Sequence, residues 1–530
     1  MWLYIDLLSM AAPSYTTDLT DLLTDMPLTT GWTALGGGAG GLVAPETDFF
    51  IQGSNCISKA GWSSATKGMI YNMGSGQTVA GGKAIFMWIY YWAPNSMATE
   101  TNGGMQLLIG SATSAFKQWY IRGSDTLVYG GWVCAVVDPT ITADATTGSP
   151  TATLQYFGAQ ANIPSSGPSK GQPLGIDAIR HGRDFTCTNG DVANGYATFS
   201  GAAAYNDDVS RRYGQIQAID GGFLQQGRFL MGTPSTAVDF RDSNKTILVA
   251  RTNKVSASFN TFEVQNALSR VDWTNISLSA LGTTARGNFV TTDNADINFD
   301  SCAFTDLGIF GFQSNSTILS STFRRCNLIT QTLAAFTNCA FDSTNDSIKA
   351  LLVNDPSKIS ACSFISGGTK HAIEISVPGT YTFSGNTFSG YGSTGTADAA
   401  IYNNSGGAVT LNITGGGDAS PTYRNGAGAS TTIVAAVDLT VTVVDKNNAP
   451  IQNAQTAIYL SSSDAELMNE DTDINGIAAA SYSGSTPANI YVRIRKSSTG
   501  STKYYPASTT GTITASGFSA TITLIEDTTA

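Results

Sequence analysis

The chain has 530 residues, of which 13% are charged and 42% hydrophobic, and its net charge is −11. About half the usual ~25% of charged residues excludes a mainly helical protein, whose surfaces would be coated with Lys and Glu, and the apolar share excludes a disordered one. The negative balance argues against nucleic acid or an anionic membrane as the main partner.

Glycine supplies 56 residues, and Ser, Thr and Asn fill the polar positions, which suits strands and tight turns. An all-β protein is expected. The longest apolar run, Ala84 to Ala93 (AIFMWIYYWA), is too short to span a bilayer and reads as a buried strand. No membrane insertion is expected. The first residues lack a basic stretch, and Asp6 interrupts their apolar run, so no secretory signal is read there. Seven cysteines, an odd number without tight spacing, point to free thiols in a chain that folds in a reducing cytosol.

Residues 1–30 read as an acidic N-terminal tether (Asp18, Asp21, Asp25), with weak helical periodicity in LTDLLTDM. Residues 31–250 are dense in glycine and aromatics and hold Trp32, Trp62, Trp88, Trp92, Trp119 and Trp132. The runs AIFMWIYYW, MQLLIG, KQWYIRG and WVCAVV are strand-like and separated by turn residues, as in a two-sheet sandwich with its junction. The segments Trp119 to Arg122, Trp132 to Asp138 and Leu174 to Asp177 resemble concanavalin A-like (laminin-G-type) jelly rolls. That resemblance implies either glycan binding or a structural role. The aromatic run MWIYYW must bury one face, and the other is a candidate glycan platform.

Residues 251–435 contain a repeat. Phe304, Phe323, Phe341, Phe364 and Phe388 follow Cys302-Ala303, Ser321-Thr322, Cys339-Ala340, Cys362-Ser363 and Asn386-Thr387, in steps of 19, 18, 23 and 24 residues. Five positions before each phenylalanine stands Phe299, Ile318, Phe336, Ile359 or Phe383. Trp273, Ile276 and Leu278 fit an earlier copy, and Phe262 a further one. Steps this short, with a strand pattern preserved, are single coils of a parallel solenoid. The pattern resembles right-handed parallel β-helix proteins. The cysteines then form an inward column of small apolar groups.

Residues 436–530 form a separate module. Leu439 to Val444 alternates strictly; Asp445 opens a turn containing Pro450; Ala457 to Leu460, the Thr472-Asp473-Ile474-Asn475-Gly476 turn and Ile490 to Ile494 follow. This resembles the carboxypeptidase-regulatory-like (transthyretin-like, Ig-type) sandwich family, which implies a stalk or adhesion domain without catalytic chemistry.

Candidate chemistry is sparse. Asp471, Asp473 and Asn475 fit the start of a calcium loop, but Tyr482 stands where the closing Glu is required, and a plain turn is the alternative. Calcium there is the one cofactor considered. Glycan-cleaving solenoids use paired carboxylates; the candidates are Asp293, Asp296, Asp300 and Asp306, with Asp342 and Asp346 as a second set. Arg180, Arg183, Arg211, Arg212 and Arg228 gather near the sandwich–solenoid junction, where ion pairs with Asp207 and Asp208 are expected. Neither His181 nor His371 is read as a metal partner of the column cysteines Cys302, Cys339 and Cys362, and no nucleophile elbow, HExxH or phosphate loop occurs.

Three β modules in a signal-less, weakly charged chain resemble the virion appendages of bacteriophages. That architecture implies a tail or head spike or fibre, folded in the host cytoplasm and acting outside it on the virion. It implies a homotrimer bound to other virion proteins and to a host surface polysaccharide. A spike depolymerase that cleaves the same glycan, and a bacterial surface adhesin, are the two alternatives.

Overall fold

A computed structural model describes residues 12–529 apart from 24–25, 27–28, 37–40, 60–65, 92–93, 127–129, 164–172, 190–195, 209, 250–253, 257, 281–286, 292–294, 314, 344–350, 369, 436, 484–486, 498–500 and 515. Asp25, Trp62, Trp92, Asp293 and Asp346 fall outside the described residues. The fold is all-β, and the chain divides into two compact units, Met1–Ala335 and Phe336–Ala530.

The first unit begins with a sandwich of two antiparallel sheets. One runs Gly131–Val137, Ala84–Tyr91, Leu174–Gly182, Cys56–Lys59, Leu42–Glu46; the other runs Ala145–Thr147, Ala115–Arg122, Met105–Ala112, Leu154–Ala161, Lys67–Gln77, Trp32–Leu35. Their facing sides pack Ile57, Met87, Ile89, Tyr91, Leu107, Trp119, Phe157 and Ile176 into one core. All eight residues of Ala84–Tyr91 are buried. The outer side of that strand is covered too, because Trp88 packs with Ile51, Cys134 and Phe259, and its Nε1 donates to the Arg212 carbonyl at 2.8 Å. The strand Ala84–Tyr91 is therefore core on both faces, and its described residues offer no glycan platform.

The 1–30 segment is more than a tether. Ser14–Thr17 pairs antiparallel with Asp184–Thr188, and Thr20–Leu23 pairs with Leu174–Gly182. Asp18 Oδ1 accepts the N–H groups of Arg183 and Asp184 at 2.8 and 2.7 Å, pinning the segment between those strands. Asp184–Thr188 is also the first strand of the parallel stack, so Ser14–Thr17 covers an edge that would otherwise expose unpaired backbone. Parallel pairing thus starts at Asp184, ahead of the expected residue 251.

Each coil carries three short strands, one per sheet. The first sheet stacks Phe185, Phe229, Phe262, Phe289, Phe310 and Ile329 in register. The second stacks Trp273, Phe299 and Ile318. The third stacks Phe223, Ile247, Leu278, Phe304 and Phe323. Phe262 therefore belongs to a different column from Phe304, not to the same repeat position. The helix Phe199–Asn206 places Phe199 against Phe229, Phe240 and Trp273 with centroids 4.9–5.8 Å apart. Thr198 caps this helix by accepting from the Gly201 N–H at 3.0 Å.

A single tight corner between the second and third sheets explains the Cys-Ala-Phe signature. Asn244, Asn275, Ser301 and Ser320 take it with φ of 48–56° in the left-handed region, which Asn tolerates best among residues with a Cβ. The next residue then turns inward, which puts Ile276, Cys302 and Ser321 in the core.

In the second unit the same corner is taken by Asn338, Ala361 and Gly385, the last at φ +67°. Phe341, Phe364 and Phe388 stack in register, with centroids 4.7 and 5.1 Å apart and planes within 5° and 14° of parallel. Phe383 pairs with Ile413 in the neighbouring sheet. The unit ends in a seven-stranded sandwich. Ile477–Tyr482, Val437–Val444 and Phe518–Thr523 face Glu466–Asp471, Gln455–Leu460, Ala488–Lys496 and Tyr504–Ile513. Leu439, Val441, Val443, Ile458, Ile490, Val492 and Ile494 fill the space between them.

Candidate functional site

The solenoid carboxylates are placed by strand alternation. Ile297 and Phe299 point inward on Asp296–Asp300, so Asp296, Asn298 and Asp300 face out. Four residues of strand put Asp296 and Asp300 ~13 Å apart along the backbone, beyond the ~5–9.5 Å of a hydrolytic pair. Asp296 lies 3.9 Å from Arg270 and accepts from Asn298 Nδ2 at 2.9 Å. It ends a polar ladder in which Arg270 and Arg241 hold Asp272 at 2.8 and 3.5 Å, and Arg241 holds Asp239 at 2.7 Å. Asp306 is buried against Arg325 in a bidentate pair of 2.6 and 2.8 Å. The two occupy equivalent corners of successive coils, where opposite charges fall side by side. Asp342 is half-buried on the strand Ala340–Ser343. Among the described candidates, Asp296 meets a second carboxylate, that of Asp272: both accept from Asn298 Nδ2 at 2.9 Å, which places them within about 6 Å of each other, and Arg270 lies against both.

The junction arginines are structural, with different partners from those expected. Arg180 is buried, bonding Asp21 at 2.7 Å, the Arg211 carbonyl at 2.7 Å and Gln52. Arg228 joins Asp184 at 2.5 Å and Glu263 at 3.2 Å. Arg183 donates to the carbonyls of Phe259 and Ser258. Of the expected partners, Asp208 meets Arg211 at 3.9 Å, and Asp207 feels the charge of Arg212.

The calcium-loop residues form a tight turn that carries the chain from Glu466–Asp471 in one sheet to Ile477–Tyr482 in the other. Asp473 Oδ1 accepts the N–H groups of Asn475 and Ile477, both at 2.8 Å, and Asn475 Nδ2 faces Asp473 Oδ2 at 3.4 Å. These backbone bonds hold the Asp473 carboxyl below the usual range. Asp471 ends the strand Glu466–Asp471 opposite Gln455. Among the described residues, no group of three His, Cys, Asp or Glu is arranged to hold a metal.

A concave site among the described residues lies elsewhere, on the outer face of the four-stranded sheet of the C-terminal sandwich. A cavity of about 550 Å³ is lined by Gln455, Ala457, Tyr459, Asn469, Arg493, Arg495 and Ser508. Cross-strand register builds it. Gln455 pairs with Arg495, Ala457 with Arg493 and Tyr459 with Tyr491, while Asn469 and Ser508 flank the Ala457–Arg493 row. Ala457 makes the floor, because its small side chain leaves a gap between larger neighbours. The Tyr459 and Tyr491 rings stack with centroids 5.2 Å apart, and the Arg493 guanidinium lies 5.0 Å from the Tyr491 centroid. Tyr459 donates to Glu466 at 3.2 Å, Tyr491 to Asp464 at 2.9 Å, and Arg495 Nε to Gln455 at 2.7 Å. The alternation of Tyr491, Arg493 and Arg495 with buried Val492 and Ile494 was the available signal; nothing in the sequence marked Ala457 as a floor.

Sequence reading also left His371 isolated. Its Nε2 lies 3.2 Å from Glu374, its Nδ1 3.4 Å from Arg424, and Arg424 covers the Tyr402 ring at 3.4 Å. Glu374, Tyr402 and Arg424 are register partners on three successive coils, so the solenoid itself assembles this compact charged cluster.

No protein-family model and no curated protein matches the chain. Among solved structures, the catalytic unit of a thermostable GH87 alpha-1,3-glucanase from Streptomyces thermodiastaticus strain HF3-3 is 8% identical over 80% of this chain and 87% of that one, with a TM-score of 0.17. The tailspike protein gp49 from Pseudomonas phage LKA1 is 10% identical over 90% of this chain and 79% of that one, with a TM-score of 0.20. Likeness at these scores carries no argument about fold or activity.

Proposed function

We propose that this chain is a spike- or fibre-type attachment protein of a bacteriophage virion that binds a bacterial surface polysaccharide. The observation that carries the reading is the tyrosine–arginine cavity of the C-terminal sandwich. Pyranose rings offer an apolar C–H face to an aromatic ring and hydroxyls to Gln, Asn, Ser and Arg, and this wall supplies all of these. The stacked coils and the sandwich found within each unit support the same reading, since this combination of modules resembles that of virion appendages. A homotrimer accords with the outward apolar positions Val290, Ile309 and Leu319, each more than a third exposed. The depolymerase alternative would rest on Asp272 and Asp296, both of which lie against Arg270.

The test is binding of the full chain to extracted bacterial surface polysaccharides and to intact cells, with virion imaging by an antibody against the chain. Binding that weakens in Tyr459→Ala, together with label on virion appendages, is the expected result. Absence of polysaccharide binding across the host panel, or unlabelled virions, overturns the proposal.

A further inference from the structure

The cavity on the C-terminal sandwich carries a more specific assignment, which rests on the glycan-binding reading above. In a chain of net charge −11 with only 28 Lys and Arg, positive charge is scarce, and several arginines are committed to carboxylates: Arg180, Arg228, Arg241, Arg270 and Arg325. Arg493 and Arg495 are not. Both are exposed, both line the cavity, and neither lies within ion-pair distance of an acid among the described residues. They stand two apart on Ala488–Lys496, so their guanidiniums leave the same face ~7 Å apart along the strand.

Of the nearby acids, Asp471 shares the row of Gln455 and Arg495 without an ion-pair distance to either arginine among the described residues, and the others are engaged at the tyrosine end. Glu466 accepts from Tyr459 and Asn469, and Asp464 accepts from Tyr491. Across the cavity, the Arg493 guanidinium lies over the phenol rings, 5.0 Å from the Tyr491 centroid and 5.9 Å from that of Tyr459, and Arg495 stands at the far end, bonded to Gln455. Arginine binds carboxylates through its planar fork, and such charge-assisted bonds are about twice as strong as neutral ones. A sugar ring seated on the Ala457 floor would meet Tyr459 on one side. A carboxylate on that ring would reach Arg493 and Arg495 on the other, with Gln455, Asn469 and Ser508 left for hydroxyls. The volume of about 550 Å³ falls within the range of small-ligand sites.

We infer that this cavity is a subsite for a carboxylate-bearing pyranose, a uronic-acid-class residue of an acidic polysaccharide. The full chain is titrated with oligogalacturonate, alginate oligosaccharides and hyaluronan fragments, and with carboxyl-reduced counterparts of each. At least one acidic oligosaccharide is expected to bind, with its reduced form weaker by about tenfold or more. Arg493→Gln and Ala457→Leu are each expected to abolish that preference with the unfolding midpoint kept; the second fills the floor without removing charge. Equal binding of acidic and reduced forms, binding of none of the acidic forms, equal binding of a phosphate-rich teichoic acid, or unchanged affinity in Arg493→Gln overturns the inference. Arms with host polysaccharide separate the two claims. If wild type and the Arg493→Gln/Arg495→Gln variant hold host glycan equally, this subsite fails and the attachment reading stands. If wild type holds no host glycan, the attachment reading fails, and the oligouronate titration still decides the cavity.

Discussion

Asp445 and Asp473 close two turns with the same hydrogen bonds. Asp445 Oδ1 accepts from the N–H groups of Asn447 and Ala449 at 2.7 and 2.8 Å, as Asp473 Oδ1 does from Asn475 and Ile477. In each turn the Asp N–H also bonds the carbonyl four residues on, at 2.9 Å, and the fourth residue has positive φ, 61° at Asn448 and 74° at Gly476. The Asp445 turn has no calcium-loop pattern, so the shared geometry belongs to the turn itself. Calcium and chelator are therefore expected to leave the unfolding temperature unchanged. Both carboxyls sit below their ordinary values because of these N–H donors. Their stabilisation is present above the unfolded value of about 3.9 and is lost as pH falls through the folded one. Asp445→Ala and Asp473→Ala should each lower the midpoint at pH 7 and flatten the acid limb of stability against pH, read by thermal melts from pH 2 to 7.

The Phe341–Phe364–Phe388 column is the interior of its solenoid coils, with Phe364 between two parallel rings. Phe364→Ala removes a buried ring whose neighbours are held by strand register, so the cavity cannot collapse. Chemical denaturation should show a loss of about 3–5 kcal/mol. Phe364→Leu, which keeps most of the volume, should cost about 1–2 kcal/mol. Ile365→Ser, one residue on and 49% exposed, should stay within about 0.5 kcal/mol.

How much of this was legible beforehand differs from column to column. Phe304, Phe323, Phe341, Phe364 and Phe388 follow a corner of fixed length, so residues on either side of it keep constant spacing and the repeat is readable. Phe185, Phe229, Phe262, Phe289 and Phe310 form an equally regular column in space, but their steps are 44, 33, 27 and 21 residues. Intervening segments of unequal length erase the period, which hid the first coils and misassigned Phe262. The Ser14–Thr17 strand was unreadable for another reason: its pairing is set by an edge at Asp184–Thr188 that exists only once the stack has formed. The cavity was half legible, since alternation shows that Tyr491, Arg493 and Arg495 share a face, while register with Ala457 requires the sheet.

Asp306 and Arg325 illustrate how coil stacking fixes a charge that might be mistaken for chemistry. Asp306→Asn should cost about 1–2 kcal/mol, because the partly exposed Arg325 loses its bidentate partner but can reach water. Removing both groups should recover part of that cost in a double-mutant cycle. Asp296→Asn and Asp300→Asn, alone or together, should leave reducing-sugar release from host polysaccharide at the wild-type level.

Arg180 makes the N-terminal strand part of the sandwich. Its side chain is 2% exposed while that of Asp21 is 55% exposed. Asp21→Ala strands a buried guanidinium that keeps only neutral partners, the Arg211 and Arg212 carbonyls and Gln52. Full burial of such a pair would make the loss about 3–5 kcal/mol. Exposure of Asp21 reduces this to about 1–2 kcal/mol. Asp48→Ala, at an exposed site without an ion pair among the described residues, is the matched control. Equal midpoints for the two variants in urea would refute the docking of Thr20–Leu23.

The seven cysteines offer a check on the whole stack, because each is buried and none is bridged. Burial pushes the Cys302 thiol up to about 11 and those of Cys134 and Cys326 to about 12, and raises Cys56 and Cys187 as well; Cys362 is raised by its side-chain contact with Cys339 and by burial. The thiolate is the reactive form, so at pH 8 both access and ionisation oppose attack. The native protein should release no thiol colour with a disulfide reagent over hours, and the unfolded protein should release seven equivalents. Because Cys302 and Cys326 lie on neighbouring coils, a partial opening of the solenoid would expose them together. Reactivity of this pair ahead of Cys134 during mild denaturation would show that the coils open before the sandwich does, and simultaneous reaction of all seven would show one cooperative unit.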